Sequence, residues 1–391
     1  MRILLLNGPN LNLLGRRAPE VYGSDTLEDV VEQCHAHAAR LGHQVEALQS
    51  NHEGELIDTI HAARETADGI VFNPGAFSHT SYALHDAIEA VGIPTVEIHI
   101  SNVRDREPWR RISVTEPACV YQIFGRGVSG YLDAISNLHY RAVHAPLTLP
   151  YGPHPDQVAD LRLPDAPGPH PVTVLVHGGG WADPYTRDLM DGAAVDLAAR
   201  GTATWNLEYR RIPPVGGWRD SIADVSAGVG ALSSLSGDHG LDLDRVTVVG
   251  HSAGAQLGFF GAKTASVRPV VFVSLAGMLD LGNIGSGFDD LISAFLGDDR
   301  HARLQAVDPI RALPAGVSTV AVHGRVDRSV PPDQSRRFVE AALVAGDPSR
   351  LVELAEADHM DVISPLATGW EEVARACLGG PVRFEDPPPS V

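Results

Sequence analysis

The chain has 391 residues, of which 44% are hydrophobic and 20% charged, the balance of a soluble globular protein with room for two or three domains. Asp and Glu number 49 against 30 Lys and Arg, a formal net charge of −19, so the surface repels nucleic acid, whose backbone demands a basic footprint. No apolar run reaches the length of a membrane span, the opening Ile3-Leu4-Leu5-Leu6 breaks at Asn7-Gly8-Pro9 too soon for a signal-peptide core, and the scattered Cys34, Cys119 and Cys377 form neither a disulfide framework nor a zinc motif, so a cytoplasmic protein without a metal is expected.

Short apolar strands are predicted at Ile3–Asn7, Gln44–Gln49, Gly69–Asn73, Thr95–His99 and Cys119–Ile123. Helix-like stretches, Leu27–Leu41, Glu55–Glu65 and Ser81–Val91, alternate with them. Such alternation implies a parallel sheet with helices on both faces. Five strands in about 140 residues suit a flavodoxin-like, doubly wound domain of order 2-1-3-4-5.

A break follows, and residues 143–148 read as a linker between a first domain (1–142) and a second (149–380). The proline-rich Leu149–Pro171 holds one short candidate strand, Val158–Leu163. Further strands are predicted at Val172–Val176, Thr202–Leu207, Val246–Gly250, Val270–Leu275, Thr319–His323 and Leu351–Leu354, a second α/β sheet. Residues 381–391, ending Pro-Pro-Pro-Ser-Val, read as a disordered tail.

Polar residues crowd the carboxyl ends of three strands in the first domain. Asn10, Arg16, Arg17 and Tyr22 follow the first; Asn73, Ser78, His79, Thr80 and Ser81 the third; Glu97, His99, Ser101 and Arg106, Arg110 and Arg111 the fourth. In the expected order these strands are neighbours, and open α/β sheets bind ligands at that mouth. A pocket for a small, polar, anionic ligand follows.

The same residues carry a resemblance. Asn7-Gly8-Pro9-Asn10-Leu11, Leu14-Gly15-Arg16-Arg17 and Tyr22-Gly23 resemble the opening of type II 3-dehydroquinases. So do the runs Gln49–Asp58, Asn73–Ser81 and Glu97–Asn102. The likeness covers residues 1 to about 140 and implies dehydration of 3-dehydroquinate through an enolate. That chemistry needs a base, an enolate stabiliser and an acid. The resemblance makes Tyr22 the base, ionised beside Arg17, since a free tyrosine has a pKa of about 10. It makes Asn10 the enolate stabiliser, His99 the acid and Glu97 its orienter. It gives Asn73, His79, Ile100 (backbone), Ser101 and Arg110 to the substrate, and Asp86 to a contact across subunits. Trimers building dodecamers are implied, and no cofactor. The single lysine, Lys263, lies in the second domain, so a Schiff-base mechanism has no lysine here.

In the second domain Gly250-His251-Ser252-Ala253-Gly254 is G-x-S-x-G, between a predicted strand and a helix-like stretch. That context is a nucleophile elbow exposing Ser252. His177-Gly178-Gly179-Gly180-Trp181 follows an earlier strand, where an oxyanion loop belongs; the amides of Gly178, Gly179 and Ala253 are its expected donors. Asp327 and His359 follow later strands and complete the chain order Ser, Asp, His of α/β-hydrolases. His251, His301 and His323 compete as the histidine, and Asp358 and Asp361 flank His359. Order and strand-end placement favour Ser252, Asp327 and His359. This part resembles the esterase and kynurenine-formamidase-like α/β-hydrolases, with Asn206–Arg210 matching the strand after the oxyanion loop. The expectation is a bifunctional enzyme acting on small molecules, 3-dehydroquinate and an ester or amide; the alternative is a catalytically idle hydrolase fold serving assembly.

Overall fold

The structure is a computed structural model, and it describes residues 1–16, 24–103, 106–212, 217–297 and 300–382. The chain divides into two compact units, Met1–Val143 and His144–Val391.

The first unit has five strands: β1 (Arg2–Asn7), β2 (Gln44–Gln49), β3 (Gly69–Asn73), β4 (Thr95–His99) and β5 (Tyr121–Phe124). All pair in parallel, in the order β2-β1-β3-β4-β5. Successive side chains of a strand point to opposite faces, and β1 uses both. Ile3 and Leu5 pack with helices Leu27–Arg40 and Ser129–Val143. Leu4 and Leu6 pack with helices Glu53–Thr66 and Tyr82–Val91. This two-sided burial is why the strand reads as an unbroken apolar run. The expected doubly wound order is present, and the reversal between β1 and β3 opens the crevice used below.

The second unit adds β6 (Leu147–Pro150), β7 (Val158–Arg162), β8 (His170–Val176), β9 (Ala203–Leu207), β10 (Leu241–His251), β11 (Val271–Leu275), β12 (Ser318–Gly324) and β13 (Ser349–Leu354). Their order is β13-β12-β11-β10-β8-β9-β7-β6, with only β6 and β7 antiparallel to their neighbours. Leu257 and Phe259 of helix Ala253–Thr264 and Phe338 of helix Asp333–Val344 cover one face, over Val174 and Val248. Helices Asp191–Ala199 and Trp370–Leu378 cover the other, over Leu175 and Val273. The fold is that of an α/β-hydrolase.

Two expectations need correcting. Helix Ser129–Val143 runs to the edge of the expected linker 143–148, and β6 begins inside that stretch at Leu147. The break before the proline-rich stretch read as a linker, but β6 is the outermost strand, where a missing amide such as that of Pro150 costs no ladder bond. Val158–Arg162 is therefore the second strand of its sheet. Residues 383–391 of the expected tail lie outside the described residues. Among the described residues, no helix is long and apolar enough to cross a membrane.

Candidate active sites

At the mouth of the first sheet lies a cleft. Asn10, Asn73, His79, His99, Ile100, Ser101 and Arg110 all line it, so the groups from β1, β3 and β4 do converge. Glu97 lies fully buried next to this wall. Arg106, singled out only as one of several arginines past β4, also lines the cleft and donates to Ser101 Oγ at 3.3 Å. Asp86 is exposed on helix Tyr82–Val91 and is not part of the lining. Arg17 and Tyr22 lie outside the described residues.

Glu97 and His99 are two apart on β4, so their side chains share a face. His99 Nε2 donates to Glu97 Oε1 at 2.8 Å. Gln122 Nε2 donates to the same oxygen at 2.9 Å. Thr115 Oγ1 and Ser113 Oγ donate to Oε2 at 2.5 and 3.0 Å. Burial alone would raise the Glu97 carboxyl, but the bonds and charge of His99, with those from Thr115 and Gln122, hold it below the usual carboxylate range. An ionised Glu97 accepts the Nε2 proton of His99 and so orients the ring. Arg110 stacks over Trp109 at 4.0 Å, and its Nε bonds Glu107 at 3.0 Å. His79 donates Nδ1–H to the Ile112 carbonyl at 2.8 Å, and burial lowers its pKa. Its ring lies parallel to that of His99, 6.5 Å away.

Asn10 sits in the left-handed region, φ 68°, a conformation asparagine tolerates. Its amide donates to Asn51 Oδ1 at 2.8 Å. Asn73 is clamped: Nδ2 donates to the Tyr131 hydroxyl at 2.8 Å, which donates on to Asn7 Oδ1 at 2.7 Å. The Gly75 amide bonds Asn73 Oδ1 at 3.1 Å. Tyr131, Asn51, Ser113, Thr115 and Gln122 had no assigned role from sequence; only Asn51 falls in a matched run.

In the second unit Ser252 follows β10 with φ 53° and ψ −121°, a strained strand-to-helix turn of the geometry an elbow requires. The turn closes only because its flanking residues lack Cβ atoms. A Cβ at Gly250 would lie 2.4 Å from Gly254 O, and one at Gly254 would lie 2.2 Å from His177 O. Ala253 is the first residue of the following helix, so its amide has no intrahelical acceptor. Gly178 lies against Ser252: a Cβ there would stand 2.9 Å from Ser252 Cβ.

Asp327 and His359 meet as expected, with His359 Nδ1 donating to Asp327 Oδ2 at 2.7 Å. The Ser329 and Val330 amides bond Oδ1 at 2.7 and 2.9 Å. Burial would raise Asp327, but bonds from His323 and His359 outweigh it and hold the carboxyl far below its ordinary range. The competing histidines take other places. His323 is fully buried, bonded to Ser335 Oγ at 2.8 Å and 3.2 Å from Asp327. His251 donates Nε2–H to the His359 carbonyl at 3.0 Å, its ring 4.7 Å from that of His359. Burial, then the charge of His359, pushes its pKa down to about 3. The side chain of His301 lies outside the described residues. Asp358 and Asp361 are spent on their own loop: Asp358 Oδ1 accepts the Met360 and Asp361 amides, and Asp361 Oδ2 accepts that of Asp358.

The family model described as Dehydroquinase class II matches residues 1–139, and that described as BD-FAE matches residues 159–342. The 3-dehydroquinate dehydratase of Corynebacterium glutamicum is 57% identical over 140 residues, 35% of this chain and 97% of that protein. Catabolic 3-dehydroquinase 1 of Neosartorya fischeri is 56% identical over 136 residues, 35% of this chain and 91% of that protein. A thermophilic esterase of Thermogutta terrifontis, solved with butyrate bound, matches at a TM-score of 0.50 and 19% identity, over 59% of this chain and 91% of that one; this is a likeness of fold. Through its first unit the chain belongs to the class II dehydroquinases. Its second unit has the α/β-hydrolase fold and matches the model described as BD-FAE.

Proposed function

We propose that the chain is a bifunctional enzyme, dehydrating 3-dehydroquinate in residues 1–142 and cleaving a small ester or amide in residues 149–380. The convergence of seven expected residues on one cleft, in a unit 57% identical to a named dehydratase, carries the first half of this reading. Tyr22, ionised beside Arg17, takes the proton next to the substrate ketone. Asn10 stabilises the enolate oxygen. His99, held by Glu97, protonates the departing hydroxyl, which leaves as water while the enolate collapses to the conjugated enone. The cationic Arg110 suits the substrate carboxylate, while Asn73, His79, Ser101 and the Ile100 backbone suit its oxygens. In the second unit Ser252 attacks the acyl carbon, His359 takes its proton, Asp327 holds the imidazole, and the amides of Gly178, Gly179 and Ala253 receive the oxyanion.

The first unit assembles as trimers and then dodecamers, with Asp86 contributed across a subunit contact, and the protein works in the cytoplasm. Light scattering on a fully active monomer would overturn the assembly. The central test follows ultraviolet absorbance of the enone as purified protein meets dehydroquinate. Wild type turns over, and His99→Ala keeps proton exchange at the α-carbon while losing dehydration. Equal loss of both steps removes His99 as the acid.

A further inference from the structure

We infer that Glu208 is a positioning residue of the second site, aiming the oxyanion loop through His177. The inference rests on the reading of this unit as a serine hydrolase. The loop His177–Trp181 leaves β8 and passes beside Ser252. Its useful groups are the amides of Gly178 and Gly179. Among the described residues neither amide donates to a protein acceptor. In a trans peptide the N–H and the preceding carbonyl share one plane and point opposite ways. Holding the carbonyl on the far side therefore aims the amide.

Both carbonyls are held. The Tyr209 hydroxyl donates to the His177 carbonyl at 2.9 Å, which fixes the plane carrying the Gly178 amide. His177 Nδ1 lies 2.8 Å from the Gly178 carbonyl, which fixes the plane carrying the Gly179 amide. The second anchor works only while His177 keeps a proton on Nδ1 and its ring stays in place. Tyr209 stacks on that ring, 4.3 Å between centroids and 14° between planes. Glu208 Oε1 receives Nε2 at 2.9 Å. Glu208 and the Gly178 carbonyl thus hold the ring from its two nitrogens.

Glu208 is built for this task. It is buried, and its oxygens also accept the Tyr209 and Arg187 amides at 3.1 Å each and the Arg211 guanidinium. Burial would raise its carboxyl, but Arg211 and His177 outweigh that and keep it ionised. Weakening the contact with Glu208, which also takes the Arg187 and Tyr209 amides and Arg211, lets the His177 ring shift, and the Gly178 peptide loses its fixed anchor.

The experiment compares wild type with Glu208→Gln in the full chain, using an aryl acetate and an arylboronic acid that forms a tetrahedral adduct on Ser252. Oxyanion donors act on the transition state rather than on bound substrate, so kcat falls about 10- to 100-fold while KM stays within about two-fold. Affinity for the boronic acid falls by a similar factor, as transition-state binding requires. Unchanged kcat, or a loss confined to KM, overturns the assignment. If the Gln variant does not fold, Glu208→Asp keeps the charge but shortens the reach to His177, and the same readouts apply. A crystal structure of the folded variant decides the point independently of turnover: the Gly178 peptide is rotated, and an unmoved loop overturns the inference. A wild type without Ser252-dependent hydrolysis sinks the hydrolase reading, and that crystal structure still tests the positioning.

Discussion

The carboxylate of Glu97 takes four hydrogen bonds, and only one of them comes from His99, at 2.8 Å. The other three hold the carboxylate still, so it in turn holds the imidazole. Glu97→Gln keeps the shape and loses the charged acceptor that orients His99. Dehydration is expected to slow about 100-fold, the scale of general acid catalysis, with substrate affinity nearly intact. Steady-state kinetics against a bound product analogue checks both halves.

Glu97 also links stability to acidity. Its folded carboxyl lies below the ordinary value of 4.5. Its contribution is therefore fully present above about pH 4.5 and is lost as pH falls through the lower, folded value. Thermal melts from pH 6 down to pH 3 should show a steeper decline for wild type than for Glu97→Gln. Parallel curves would mean that the carboxyl is not depressed.

Tyr22→Phe removes the proposed base and leaves the ring. Turnover should fall by three orders of magnitude or more, roughly the upper range for a general base combined with its activation, while a competitive inhibitor binds within a few-fold of wild type. Near-normal turnover would put the base elsewhere.

Ser252→Ala should abolish aryl-acetate hydrolysis and leave dehydration unchanged, since the two sites lie on separate sheets and mutations that share no partners act nearly independently. Residual hydrolysis at the wild-type rate would exclude Ser252 as the nucleophile.

Gly178→Ala tests the contact between loop and elbow. The added Cβ would meet His251 Nδ1 at 2.8 Å and Ser252 Cβ at 2.9 Å, so one of them must shift. Misplacing the nucleophile or a donor costs about 100-fold in kcat, and the overpacking about 1–3 kcal/mol in stability. Esterase kinetics and a urea melt give both numbers.

Much of this was legible in the chain. Strands such as β1 and β3 are apolar on both faces and announce themselves as continuous runs. The elbow and glycine loop depend on residues lacking a Cβ, so their spacing survives in the sequence. The order Ser252, Asp327, His359 also survives, because each residue ends a separate strand. What was hidden is whatever tertiary contact alone defines. Ser113, Thr115 and Gln122 reach Glu97 from segments with no motif. Tyr131 looks like an ordinary helix aromatic until its hydroxyl joins Asn73 to Asn7. β6 escaped notice because an edge strand tolerates the proline that marks a linker.

The groups of the second site hang from four strands: the glycine loop from β8, Ser252 from β10, Asp327 from β12 and His359 beyond β13. No two of these strands are consecutive in both sequence and space except β12 and β13. Local collapse cannot bring such partners together, and non-local pairing is the slow part of building a sheet. During refolding, esterase activity should consequently return later than helical circular dichroism, and no earlier than the docking of the last parallel strand. The proposed hydrolysis at this site would thus serve as a clock for the completion of its own sheet.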